Sequence, residues 1–172
     1  MSAELLVLRL IHILGGIFWL GSGLFTMFFL MPALGRAGPA AAGPLMGGLQ
    51  QSRLFTVLPV VAVLTILSGL RLFQIVSGGF SPAYVWSPMG QTFLWSGIAA
   101  IVAFLLSLVV ARPVMLRAGQ LAAGIAKLPQ EERADAAKEL ERLQRRGKIA
   151  SIVATTLLIG AGAGMAVARY IG

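Results

Sequence analysis

Residues 5–31, LLVLRLIHILGGIFWLGSGLFTMFFLM, decide the fold class, because their only ionisable side chains are those of Arg9 and His12. A helix needs about 20 apolar residues to cross a bilayer. Three further apolar stretches are also long enough, at residues 53–77, 91–111 and 149–171. The chain is 58% hydrophobic and 12% charged, whereas average soluble domains are about 25% charged. We predict an all-α, four-helix transmembrane bundle that forms one integral membrane domain over residues 1–172.

Several classes of protein and site are disfavoured by the composition. The first apolar stretch is longer than the hydrophobic region of a signal peptide and precedes no A-x-A-like site, so we expect a retained helix. The chain has no cysteine, which excludes disulfides and thiolate metal sites. The net charge is +8, but its basic residues lie mostly outside the apolar stretches, so no nucleic-acid partner is indicated. The sequence shows no evident internal repeat.

The distribution of basic residues predicts the orientation. Residues 112–148, between the third and fourth spans, are rich in lysine and arginine, whereas residues 77–90, SGGFSPAYVWSPMG, carry no charge. Basic connections stay in the cytoplasm, so we predict a bacterial inner-membrane protein with both termini periplasmic. Acidic residues early and basic residues late in 129–148 suit a helix dipole and predict a long helical cytoplasmic hairpin. Simple solvation, binding of anionic lipid headgroups and binding of a partner protein stay open as its role.

A polar stripe runs along the first span. At 100° per residue, His12, Gly16, Trp19 and Gly23 fall on one face of the helix. Glycines in membrane helices let another backbone come close, and they can equally leave room for a flat ligand. A polar side chain within the bilayer faces the bundle interior or a cavity. We therefore expect His12 to face protein rather than lipid.

The depth of this stripe suggests a haem b site. With the N-terminus outside, His12 lies about two turns below the outer surface, Arg9 lies one turn nearer to it, and Arg71 of the second span comes to the same level. An axial histidine and arginines near the propionates are what a haem requires. The sixth ligand of the iron would be Met165, Met89 or His12 of a second subunit, or that position would be open. The cofactor-binding residues predicted in this way are Arg9, His12, Gly16, Trp19, Arg71, Met89 and Met165, with His12 as the metal ligand.

Other interpretations of the same residues stay open. His12 can be an interhelical hydrogen-bond donor, the arginines can snorkel to the interface, and the methionines can fill packing gaps. A haem protein would transfer electrons to or from a quinol or a membrane redox partner, or sense haem or gas. The alternatives are a non-enzymatic accessory or assembly subunit of a membrane complex and, third, a copper-handling membrane protein. Glycine faces on spans one and four favour a homodimer, and whether the protein is an enzyme stays open.

The first three spans resemble those of the CopD-like superfamily, which includes copper-resistance D proteins, HemJ-type protoporphyrinogen oxidases and small membrane proteins without an assigned function. The residues that carry the resemblance are His12, Trp19, Gly21, Pro32, Pro59, Thr65, Gly69, Leu70, Gly90 and Pro113. HemJ-like proteins are four-helix, haem-b-binding oxidases of protoporphyrinogen with a functional first-span histidine, and the resemblance implies that role for His12 alone. Residues 91–95, QTFLW, lack the lysine that the third span usually carries, so the likeness is closest to the branch without an assigned function.

Overall fold

The computed structural model describes residues 2–171, and for residues 39–43, 46, 50, 55 and 126 it describes the backbone only. The described chain is 92% helical and contains no strand. Its helices are α1 (Ala3–Phe25), α2 (Met31–Gln51), α3 (Leu54–Val76), α4 (Pro82–Val85), α5 (Pro88–Leu106), α6 (Arg112–Gly124) and α7 (Gln130–Val167). The π-helical turns Thr26–Leu30 and Ser107–Ala111 join α1 to α2 and α5 to α6, and short 3₁₀ turns follow α6 and α7.

Four helical segments of the described chain are long and apolar enough to cross a membrane, which is consistent with a multi-pass membrane protein. They are Ala3–Gly38, Thr56–Val76, Pro88–Gly124 and Gln130–Tyr170. The prediction of an all-α protein with four apolar helices of membrane-spanning length is thus confirmed, but three of the segments run well past the predicted bounds. α7 alone has 38 residues, or about 57 Å, against a hydrocarbon core of about 30 Å. The predicted fourth span and the helical segment before it are therefore one continuous helix.

Helices α1, α3, α5 and α7 form a closed bundle. α1 packs mainly against α3 and α5 mainly against α7, while smaller contacts between α3 and α5 and between α1 and α7 complete the ring. The core consists of Ala103 on α5 with Ala154 and Leu158 on α7, against which Trp19 and Leu20 of α1 pack. Lipid is as apolar as leucine, so membrane helices associate through small residues that bring backbones together. The alanines at these contacts follow that rule.

The first and third spans contain the same local helix irregularity. Each has a five-residue π-helical turn and, after one intervening residue, a proline, Pro32 or Pro113. Proline removes a helical hydrogen bond and clashes with the preceding turn, and a π turn is a second irregularity that bends a helix. The segments P-A-L-G-R-A-G at 32–38 and P-V-M-L-R-A-G at 113–119 then share the pattern P-x-x-x-R-A-G. This short repeat becomes evident only when the two π turns are aligned.

The connection between α3 and α5 is tightly folded. Gly78, Gly79 and Phe80 have φ values of 63°, 83° and 66°, and such a conformation is rare for a residue with a side chain. A Cβ at Gly90 would collide with the carbonyl oxygen of Tyr84, so this glycine lets the chain re-enter the bundle. The hydroxyl of Tyr84 is buried without a hydrogen-bond partner among the described residues, and burial raises the pKa of this phenol.

We expect Ala103→Leu to destabilise the bundle and Val102→Leu to leave it nearly unchanged. Ala103 is 0% exposed between α5 and α7, whereas its neighbour Val102 is 46% exposed on the outer surface. Overpacking a filled core costs about 1–3 kcal/mol. Thermal unfolding of both variants in the same detergent checks this. Equal melting temperatures for the two variants would contradict the close packing of α5 on α7.

Candidate functional site around His12

His12 is bound to the neighbouring helix through one ring nitrogen. Its Nδ1 lies 2.8 Å from the backbone carbonyl oxygen of Thr65 on α3. A carbonyl oxygen can only accept a hydrogen bond, so Nδ1 carries the proton and donates it. His12 lies nine residues after the start of α1 at Ala3, about 14 Å along the helix axis. The imidazole is thus half-buried and forms a contact between two spans.

Gly69 makes this contact possible. In a helix, the side chain at position i+4 covers the turn that contains the carbonyl of residue i, and Gly69 stands at that position relative to Thr65. A Cβ at Gly69 would lie 2.5 Å from Cε1 and 2.9 Å from Nδ1 of His12. Because Gly69 has no side chain, the imidazole lies directly over its backbone and reaches the Thr65 carbonyl.

Gly15 and Gly16 of the first span serve packing against α3. A Cβ at Gly15 would collide with the hydroxyl oxygen of Thr65, and one at Gly16 would lie 3.9 Å from the Thr65 methyl carbon. The Thr65 hydroxyl itself donates to the carbonyl of Val61, at 2.8 Å. The space that these glycines leave is therefore filled by α3, and no flat ligand fits between α1 and α3 at this level.

The second ring nitrogen of His12, Nε2, differs from Nδ1 in its hydrogen bonding. With the proton on Nδ1, the neutral imidazole has a lone pair on Nε2. No hydrogen bond to Nε2 is formed within residues 2–171. No group of three or more His, Cys, Asp or Glu that could hold a metal ion occurs in that part of the chain either. Any ligand held here would therefore bind through Nε2 of His12 alone, with its other contacts supplied by different residue types.

The arginine predicted to accompany His12 is engaged by an acidic residue. Arg71 donates from Nε and Nη2 to Oε1 of Glu4, at 2.9 and 2.7 Å, and from Nη1 to Oε1 of Gln74, at 2.9 Å. The two charged side chains are 47% and 52% exposed. An ion pair this exposed contributes only about 0–1 kcal/mol. Glu4 and Arg71 thus connect the start of α1 to the end of α3, on the N-terminal side of His12 along α1.

The remaining predicted residues lie at different places. Arg9 is on the exposed face of α1. Trp19 lies two turns deeper than His12, with its ring edge-to-face against Phe104 of α5, centroids 6.2 Å apart. Met89 is the second residue of α5 and Met165 is near the end of α7, and both are half-buried. The structure thus places His12 and Gly16 together against Thr65 of α3. Trp19 packs elsewhere, against α5.

The partners of His12 were not assigned a role from the sequence. Thr65 acts through its main-chain oxygen, which no side-chain pattern reveals, and Gly69 acts by lacking a side chain. The sequence signal that could have pointed to this contact is the glycine four residues after Thr65. The same span contains Ser68, whose hydroxyl lies 3.0 Å from the Thr65 carbonyl oxygen. When the residue four positions after a helix carbonyl is glycine, no side chain covers that carbonyl, and a neighbouring span can donate a hydrogen bond to it.

Comparison with protein-family models, curated proteins and solved structures finds no match to this chain.

We expect Gly69→Ala to destabilise the protein strongly in the wild-type background and weakly in the background of His12→Ala. The added Cβ displaces the imidazole, and such overpacking costs about 1–3 kcal/mol; without the ring it meets nothing comparable. The four melting temperatures of this double-mutant cycle measure the coupling. Additive effects of the two substitutions would contradict the packing of His12 on Gly69. Gly97→Ala is the control, since no atom among the described residues lies within 4 Å of its Cβ position.

Proposed function

We propose that this protein binds haem b in the membrane, with Nε2 of His12 as an axial ligand of the iron. The observation that supports this most is the hydrogen bond on the other side of the ring, from Nδ1 to the Thr65 carbonyl. Histidines that bind metals commonly donate their second nitrogen to a carbonyl or a carboxylate, which fixes the ring and raises its basicity. The lone pair on Nε2 is then directed away from Thr65.

The surrounding residues fit a single axial bond. Because Thr65 fills the space beside Gly15 and Gly16, His12 would bind iron on the side of the ring away from α3. Arg71 could take a propionate in place of Glu4 at little cost, since that ion pair is half exposed. Arg9 is the second candidate for a propionate. Met165, Met89 or His12 of a second subunit would supply the sixth ligand, or the position would be open.

The haem would supply one-electron chemistry, and the chain would supply its orientation and environment. With a closed sixth position, we propose electron exchange with a quinol or a membrane redox partner. With an open position, haem or gas sensing follows. In both cases the hydrogen bond to the Thr65 carbonyl would hold the imidazole of His12 at a fixed angle.

We further propose a bacterial inner membrane as the location, with both termini and the connection between α3 and α5 periplasmic. This rests on charge. Residues 77–87 have no charged side chain, whereas α6 and the first half of α7 are rich in lysine and arginine. Basic segments are retained in the cytoplasm during insertion. The hairpin formed by α6 and the first half of α7 would then be cytoplasmic.

A second candidate function is that of a non-enzymatic accessory or assembly subunit. The observation that favours it is a shallow groove on the outer face of α1, lined by Ile17, Phe18, Gly21, Ser22 and Phe25. No atom of the described residues lies within 4 Å of the Cβ position of Gly21. Small residues exposed on a membrane helix let a partner helix approach. The partner would be another membrane protein or, in a homodimer, a second copy, and His12 would serve only to join α1 to α3.

The test of the haem proposal is the visible absorption spectrum of the detergent-purified protein, oxidised and dithionite-reduced. We expect a Soret band with α and β bands of a b-type haem, lost in His12→Ala because the axial bond is removed. Thr65→Val is the matched control: it deletes the hydroxyl at the same contact but keeps the carbonyl that binds Nδ1, so its spectrum should equal that of the wild type.

A wild-type protein that stays colourless after addition of haem would overturn the proposal, as would an unchanged spectrum in His12→Ala. The accessory-subunit candidate predicts a colourless protein that co-purifies with a membrane partner, and loss of that partner in Gly21→Leu. Loss of the partner in a coloured protein would support both functions.

The orientation can be tested with single cysteines, because the chain has none of its own. We expect Ala83→Cys, in α4, to react with a membrane-impermeant maleimide in intact cells. Ala134→Cys, near the start of α7, should react only after permeabilisation. Both alanines are exposed, so access depends on the side of the membrane. The reverse pattern of labelling would contradict the proposed orientation.

A further inference from the structure

An open groove runs between the third span and α7 at the basic end of the bundle. Its apolar walls are formed by Leu106, Val110 and Val114 on one side and by Ile149, Ala150 and Val153 on the other, and one charged residue, Arg146, stands at its end. The groove has a volume of about 360 Å³, which lies within the range of small-molecule sites. It is far from the outer end of the bundle, where Arg71 pairs with Glu4, and is independent of the haem proposal.

The local helix geometry explains why a groove forms here. Its third-span wall crosses the π-helical turn Ser107–Ala111 and ends one residue after Pro113, and such features are the usual causes of helix irregularity. On α7, the wall includes the small residue Ala150, which is itself buried. A wide turn opposite a small side chain leaves space that no residue of either helix fills.

The charge at the end of the groove has no acidic partner. Arg146 forms no ion pair and no side-chain hydrogen bond within the described residues, whereas Arg142, one turn earlier, lies 3.7 Å from Glu139. Arg146 precedes Val153 by seven residues, about 10 Å of helix. The groove is thus cationic at the end that faces the basic segment and apolar toward the centre of the span. That is the order of charge and hydrocarbon in an anionic phospholipid.

We propose that this groove is a binding site for an anionic phospholipid, with one acyl chain against the apolar walls and the phosphate bound by Arg146. A guanidinium binds phosphate oxygens through two parallel hydrogen bonds. Basic residues near a membrane surface favour anionic headgroups over zwitterionic ones. A free phosphate ion would leave the apolar walls uncovered, so the lipid matches the whole groove and the ion matches only its end.

The test is native mass spectrometry of the full-length protein in detergent, with phosphatidylglycerol or phosphatidylcholine of identical acyl chains added. We expect the wild type to retain phosphatidylglycerol preferentially and Arg146→Gln to weaken that binding about fivefold. Arg145→Gln is the matched control, because Arg145 is the adjacent arginine and does not line the groove. Excess inorganic phosphate should not displace the lipid.

A second variant tests the apolar part of the site without changing the charge. Val110→Trp fills the groove from the third span, and Val110 is 38% exposed, so the larger side chain is accommodated. We expect it to reduce phosphatidylglycerol binding while the melting temperature stays near that of the wild type. Val153→Trp, on the opposite wall, should act in the same way.

Four results would overturn the proposal. Equal retention of the two lipids by the wild type would remove the role of charge. Equal losses in Arg145→Gln and Arg146→Gln would indicate a diffuse surface attraction rather than this site. Displacement by inorganic phosphate, or unchanged binding in both tryptophan variants, would show that the groove holds no acyl chain.

Discussion

The attachment of α1 to the bundle depends on its contact with α3, where His12 reaches the carbonyl of Thr65 across the bare backbone of Gly69. None of the residues of α1 is fully buried, so this helix has no large side chain sealed in the core. A hydrogen bond between membrane helices contributes only about 0.6 kcal/mol on average. The close approach permitted by Gly15 and Gly69 therefore stabilises the pair more than the bond does, and the main effect of the bond is to orient the imidazole.

The same contact links stability to the proposed chemistry. By using Nδ1 to join two spans, His12 keeps Nε2 directed away from α3, where an iron atom or another partner could bind it. α5 and α7 meet instead through small and uncharged groups, such as the Ser96 hydroxyl against the backbone of Gly164. α1 and α3 therefore meet through polar side chains at the end of the bundle where Glu4 lies, whereas α5 and α7 meet through small and uncharged groups. The basic groove at Arg146 lies between the third span and α7, toward the opposite end of the bundle.

Hydropathy was sufficient to predict the helical class and the four spans, because only a helix satisfies every backbone group of an apolar segment in lipid. It did not predict the lengths of the helices. They continue into polar residues after Pro32 and before Lys148, and hydropathy does not distinguish a polar helix from a polar loop. The interior position of His12 followed from the cost of a polar group in lipid. Its acceptor did not, because a main-chain oxygen has no sequence signature. The filling of the glycine face by Thr65 depends on the relative phase of two helices, which a single sequence leaves undetermined.

The central claim concerns the proton on one imidazole, and the chain contains a single histidine. Solid-state NMR of the protein in bilayers, with ¹⁵N-labelled histidine and no haem added, therefore reports on His12 alone. Our account predicts a neutral ring with the proton on Nδ1 and a bare Nε2, and a change of the Nε2 signal when haem is added. A proton on Nε2 with a bare Nδ1 would contradict the hydrogen bond to Thr65 and, with it, the orientation on which the proposed function rests.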